Sequence, residues 1–152
     1  MSSNFENLKE YIISLSKSEN FIDAKKEWKL IGIELSDEQE QCPCGQHIRE
    51  VCYIENQING NSTHVGNVCI NQFIGIPTGN LFDGLKKIAK DIDSNANEDL
   101  IVHAYELGYI FENEYHFLMD TKNKRKLSVK QLAWKNKINR RILQKTVVSQ
   151  RS

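Results

Sequence analysis

The chain has 152 residues and a mass of 17.6 kDa, with 39% hydrophobic residues, 26% charged residues and a mean hydropathy of −0.52. That is enough apolar matter for a folded core and too much for wholesale disorder, while no apolar run approaches the roughly 18 residues of a membrane span. The formal net charge of zero arises by cancellation: residues 1–60 carry six Lys/Arg against eleven Asp/Glu, residues 61–120 three against nine, and residues 121–152 eleven against none.

In chain order, Phe5, Leu8, Tyr11/Ile12 and Leu15 recur at helical spacing, and Asn4 can cap the first turn, predicting a helix over about 5–17. A short helical stretch is expected over 21–27, a strand over 28–35 (WKLIGIEL), then a polar loop, SDEQEQ, leading to the cysteines. Ile48–Glu55 and Ser62–Val68 read as two strands joined by a hairpin, because Asn59-Gly60 suits a turn that needs positive φ at both central residues. A short helix from Cys69 is followed by three helical segments over 80–92, 97–107 and 111–119. A last helix, about 129–145, carries the clearest start signal: Ser128 and Gln131 form a capping box, with Leu127 and Leu132 spaced as a hydrophobic staple. The expected organisation is one compact domain in four stretches: 1–35, 36–79, 80–121 and 122–152.

Four cysteines, Cys42, Cys44, Cys52 and Cys69, fall within 28 residues. The opening MSSNFENLKE lacks the basic stretch and apolar core of a secretory leader, so the expected compartment is reducing and cytoplasmic. Clustered cysteines there favour a metal over disulfides. Cys42-Pro-Cys44-Gly45 is a tight turn able to aim two thiolates at one point, and Cys69 opens the helix after the hairpin. Turn, hairpin and helix in that order suggest a treble-clef-like module around Zn2+, which takes four tetrahedral nitrogen or sulfur ligands in a structural site.

For the fourth ligand, a two-residue turn at Asn59-Gly60 would pair residues whose numbers sum to 119, placing Cys69 opposite Glu50 and making Cys52 its diagonal neighbour. Cys52 is therefore preferred, with His47 as the alternative. The competing reading leaves Cys42 and Cys44 as exposed thiols and packs Cys52 and Cys69 into the core. His64, His103 and His116 are isolated in sequence and read as ordinary core or surface histidines.

The basic end begins with Lys122-Asn-Lys124-Arg125-Lys126 and continues along the last helix with Lys130, Lys135, Lys137, Arg140, Arg141 and Lys145. At about 100° per residue, Lys130, Lys137 and Arg141 align, and Trp134, Ile138 and Ile142 fill the adjoining arc. The candidate nucleic-acid-binding residues are thus Lys124, Arg125, Lys126, Lys130, Lys137, Arg140, Arg141 and Lys145, with Asn123, Asn136, Gln144 and Ser128 as possible hydrogen-bond donors. An acidic protein surface, or plain solvation of the helix, remains open as another reading of the same charges.

Two segments are familiar. Cys42-Pro-Cys-Gly, Asn59-Gly60 and Val65-Gly-Asn-Val-Cys69-Ile-Asn-Gln-Phe73 resemble a group of small, mostly uncharacterised zinc-binding proteins of phages, large DNA viruses and bacteria. Lys124-Arg-Lys-Leu-Ser-Val-Lys-Gln131, followed by Trp134 and Ile138, is similar to a short Leu-Ser-x-x-Gln helical module at the ends of nucleic-acid-handling proteins of those genomes. The resemblance implies a zinc fold and a nucleic-acid partner, and carries no reaction.

The expectation is an α+β fold: a small zinc-stabilised hairpin with surrounding helices and a basic C-terminal helix. Its function would be non-enzymatic nucleic-acid binding of low sequence specificity. The alternative is a protein-interaction factor, a phage or bacterial modulator docking on an acidic partner. Nuclease treble clefs need a His-rich metal site on the hairpin and helix, and His64 has no partner at a fitting spacing.

Overall fold

Helix α1 (Ser2–Leu15) buries Leu8 and Ile12, the residues its period predicts, and ends where Asn59 and Asn61 of a distant loop each donate an amide N–H to the Leu15 carbonyl at 2.9 Å. A computed structural model describes residues 2–146, and the side chains of all of these except 2, 3, 37, 73 and 146. Arg151 of the basic end and the side chain of Phe73 thus lie outside the described residues. The chain divides into two compact units, one running up to Thr78 and one starting at Gly79.

In the first unit, α2 (Phe21–Ala24) is capped by Asn20, whose side chain accepts from the Asp23 N–H at 2.9 Å, and runs into a 3-10 turn, Lys25–Glu27. Three antiparallel strands follow in the order β1 (Trp28–Gln41), β2 (His47–Asn56) and β3 (Ser62–Gly66). Strand β1 was expected to stop near Leu35; it continues through the polar SDEQEQ segment instead. At a sheet edge, backbone pairing with β2 supplies the hydrogen bonds whatever the side chains. The extra residues are absorbed by a bulge: Leu35 pairs with Glu50 and Glu40 with Ile48, so residues 36–39 lie opposite Arg49 alone.

The β2–β3 connection is longer than the two-residue turn predicted. The Asn56 N–H donates to the Asn61 carbonyl at 2.7 Å, and the Asn56 side chain accepts from the N–H groups of Ile58 (2.8 Å) and Asn59 (3.1 Å). That side-chain turn competes with the hairpin turn favoured by Asn-Gly and wins by closing four residues. The register shifts by two: Cys52 pairs with Val65 and Val51 with Gly66. The strand then ends, and Cys69 sits in α3 (Asn67–Cys69), which continues as a π turn over Ile70–Ile74 and is closed by Gly75 in the left-handed region at φ +89°.

The second unit consists of helices α4 (Gly79–Lys90), α5 (Glu98–Glu106), α6 (Glu112–Thr121) and α7 (Val129–Thr146). Leu81, Phe82, Leu85, Ile88, Leu100, Ile101, Ala104, Leu118, Ile138 and Ile142 are buried. The capping box that predicts α7 is formed: Gln131 N–H to Ser128 Oγ at 3.2 Å, and Ser128 N–H to Gln131 Oε1 at 3.0 Å. The protein is therefore α+β, with seven α-helices and a small antiparallel sheet among the described residues, none of its helices being long and apolar enough to cross a membrane.

Candidate metal centre and basic surface

The β1–β2 connection is the turn that carries two of the cysteines. Gly45 N–H donates to the Cys42 carbonyl at 2.8 Å, and Cys42 N–H to the Gln46 carbonyl at 2.9 Å. Pro43 presets the backbone after Cys42, and Gly45 takes φ +103°, which a residue with a Cβ rarely adopts. This local geometry turns Cys42 and Cys44 inward; both are buried. Cys69 reaches the same point from the helix after β3. The three sulfur atoms lie within 4.8 Å of one another, with Cys42 and Cys69 3.6 Å apart.

Three buried thiols converging so closely are a suitable donor set for a metal ion. At a zinc–sulfur bond of about 2.3 Å, tetrahedral geometry separates neighbouring sulfurs by about 3.8 Å. The backbone also supports the site: Gly66 N–H donates to Cys42 Sγ at 3.3 Å. A Cβ at Gly66 would stand 2.8 Å from Cγ2 of Ile48, so only glycine lets β3 approach this closely. The Val-Gly dipeptide is visible in the sequence, but the cross-strand contact that requires it is not.

The structure does not bring Cys52 or His47 into this group of three. Cys52 is buried on β2, its S–H directed at Thr78 Oγ1 at 3.9 Å. His47 is exposed at the start of β2, paired with Gln41. The four-residue loop removes the 119 register, and with it the diagonal placement of Cys52 beside Cys69. His64 Nε2 lies 2.9 Å from the Gln41 carbonyl, consistent with an ordinary structural histidine.

The thiols differ in acidity. Cys42 is held below the usual thiol value, first by its hydrogen bond with the Cys69 thiol and then, against burial, by the N–H groups of Cys44 and Gly66. The same sharing, with burial, pushes Cys69 up. The downward shift of Cys42 favours the thiolate, the form that ligates metals. Cys52, by contrast, is pushed up to about 12 by burial and by the nearby charge of Glu50, leaving a neutral thiol.

On the basic end the predicted residues separate into two kinds. Lys124, Arg125, Lys126, Lys130, Lys137, Arg140 and Lys145 are exposed, with Arg140 Nε donating to Asn136 Oδ1 at 2.6 Å. Arg141 is structural: its guanidinium grips the buried Glu114 carboxylate through two bonds, 2.6 and 3.0 Å, and lies 5.7 Å from the Phe111 ring centre. Burial alone would raise Glu114; the bonds from Arg141 and Phe111 N–H outweigh it, and the net shift is downward. Ser128 serves the helix cap, and Asn136 donates to Asp93 at 3.0 Å, so neither is simply an outward donor. The docking arc is as expected: Ile138 and Ile142 are fully buried, and Trp134 stacks on Phe117 at 4.3 Å.

Two polar residues of this unit had no sequence signal. Lys135 is 1% exposed and donates to Asn95, and Asn139 donates to the carbonyls of Ile92 and Ser94, each at 2.9 Å. Both positions face neighbours far away in the chain, which helical periodicity does not encode. Set against family models, curated proteins and solved structures, the chain matches none of them. The case for a metal therefore rests on the three converging sulfurs.

Proposed function

We propose that Cys42, Cys44 and Cys69 hold a zinc ion in a treble-clef-like knot, and that the protein binds nucleic acid without catalysis and with little sequence preference, through its basic end. The zinc would supply a structural cross-link, tying the β1–β2 turn to α3. The three sulfurs leave one corner of a tetrahedron for a ligand from outside the group. Elemental analysis of the purified protein should return about one equivalent of zinc, since the three sulfurs form a single site. Cys69→Ser should abolish it, while Cys52→Ser should retain it. Loss of zinc with Cys52→Ser would restore Cys52 as a ligand, and its loss with His47→Ser would name His47.

The observation that carries the nucleic-acid reading is the run of exposed cations at Lys124, Arg125, Lys126, Lys130, Lys137, Arg140 and Lys145, with no acidic residue anywhere in 121–152. A capped helix with a buried apolar side holds most of them in fixed relation, so they can meet a phosphate backbone with little ordering cost. Binding to a duplex or a single strand should weaken steeply with salt, with a log–log slope of about −0.7 to −0.9 per phosphate contact. Changing Lys130, Lys137, Arg140 and Lys145 together to Gln should remove most of that slope without unfolding the unit. Arg141 must be left intact, because its loss would strand Glu114. No binding at low salt would hand the same charges to an acidic protein partner.

A further inference from the structure

The helical unit contains a cleft of about 630 Å³ that the exposed face of α7 does not account for. Six cationic side chains line it: Lys87 of α4, Lys122, Lys124, Arg125 and Lys126 around the α6–α7 connection, and Lys135 of α7. One carboxylate, Asp93, shares the wall, and it already accepts from Asn136. Lys122 is partly satisfied by Glu98 at 3.7 Å.

Lys135 is the informative member. It is 1% exposed, its ammonium donates to Asn95 Oδ1, and it takes part in no ion pair among the described residues. Burial, and then the charge of Lys87, work against its protonated form. A buried cation facing other cations is unfavourable unless an anion joins it. The surroundings are also prearranged: Asn95 accepts from Lys135 through one side-chain atom and donates to the Lys124 carbonyl (3.1 Å) through the other, tying the loop to the helix.

We propose that this cleft seats a phosphate group of an anionic ligand, with Lys87, Lys124 and Lys135 closing on its oxygens. Several converging cations suit the dense charge of a polyphosphate or of a nucleic-acid phosphate, and the volume falls within the usual range for small-ligand pockets. Leu127 and Leu132 supply an apolar wall on which a nucleoside ring can rest. The proposal shares Lys124, Arg125 and Lys126 with the basic face but does not depend on nucleic-acid binding there.

The test is calorimetric titration of the full chain with inorganic triphosphate at low salt, alongside a labelled oligonucleotide. Wild type should bind triphosphate, and Lys87→Gln with Lys124→Gln, both exposed positions, should weaken it about tenfold or more. Lys135→Met should weaken it as well, and Lys26→Gln in the other unit should leave it unchanged. Displacement of the oligonucleotide by triphosphate would assign the seat to nucleic-acid phosphate; simultaneous binding would assign it to a small polyphosphate. Absent triphosphate binding, or an affinity indifferent to these substitutions, overturns the proposal. Oligonucleotide binding that survives and still depends on Lys130 and Lys137 would then leave the reading of the basic face intact.

Discussion

The two units solve the problem of holding polar groups inside a small protein in different ways. The unit up to Thr78 gathers three thiols and a carboxylate, Glu27, at points where the backbone itself turns; Glu27 accepts from Lys17 and Ser18 N–H at 2.8 and 2.9 Å and from Asn56 Nδ2 at 2.9 Å. The unit from Gly79 relies on side chains meeting across helices: Arg141 with Glu114, Lys135 with Asn95, Asn139 with the Ile92 and Ser94 carbonyls. In the first, the arrangement is set by local turns. In the second, it depends on which residues of one helix face another, and neighbouring cations have opposite fates.

The largest expected effect should fall on one unit only. Stripping metal with a chelator, or introducing Cys69→Ser, should cost the first unit on the order of 5 kcal/mol, because binding energy at a structural site is folding energy. Hydrogen exchange should then accelerate in residues 28–74 and remain slow in 79–146; equal acceleration in both would erase the contrast. Second, Arg141→Ala should destabilise the helical unit by about 3 kcal/mol by stranding a buried carboxylate, whereas Lys130→Ala or Lys145→Ala should change it by less than about 0.5 kcal/mol. Denaturant midpoints would show it.

A smaller effect is expected from Gly66→Ala, about 1–2 kcal/mol for the crowding against Ile48, with weaker metal retention as the accompanying sign. The mildest contrast is in pH. Glu27 is lowered from 4.5 to about 2, by the Ser18 side chain first, then by Asn56 and the Lys17 N–H. A carboxyl whose folded pKa lies below its unfolded value stabilises above the unfolded pKa and loses that contribution as pH falls through the folded one. The first unit should therefore weaken from about pH 4.5 down to about 2, and Glu27→Gln should flatten that limb. In the helical unit, burial lowers the pKa of His103 below 6.5, so its contribution should fade as pH drops from 6.5. His103→Gln should remove that earlier fade without touching the first.

These contrasts track what could be read from sequence. The Cys42–Gly45 turn was legible because Pro and Gly determine its shape within four residues, and the last helix because Ser128 and Gln131 announce its start. The approach of Cys69 to Cys42 and Cys44 followed from its place after the hairpin. The exclusion of Cys52 was not legible: it follows from the Asn56 side chain closing a longer loop, a competition between two local turns that composition does not decide. Likewise, Lys130 and Arg141 share a helix face in projection, and only the position of Glu114 on another helix separates the exposed cation from the half-buried, paired one. The extension of β1 through SDEQEQ was hidden for the same reason, since its partner strand rather than its side chains makes it a strand.

The spacing of the three sulfurs along the chain makes one contact local and the others distant. Cys42 and Cys44 are brought together by a bend that needs only its own residues, while Cys69 reaches them across the β2–β3 ribbon. An ion entering early would find two donors waiting, and the third would lock it only on completion. Full coordination would therefore report, in a refolding chain, the moment at which that ribbon closes.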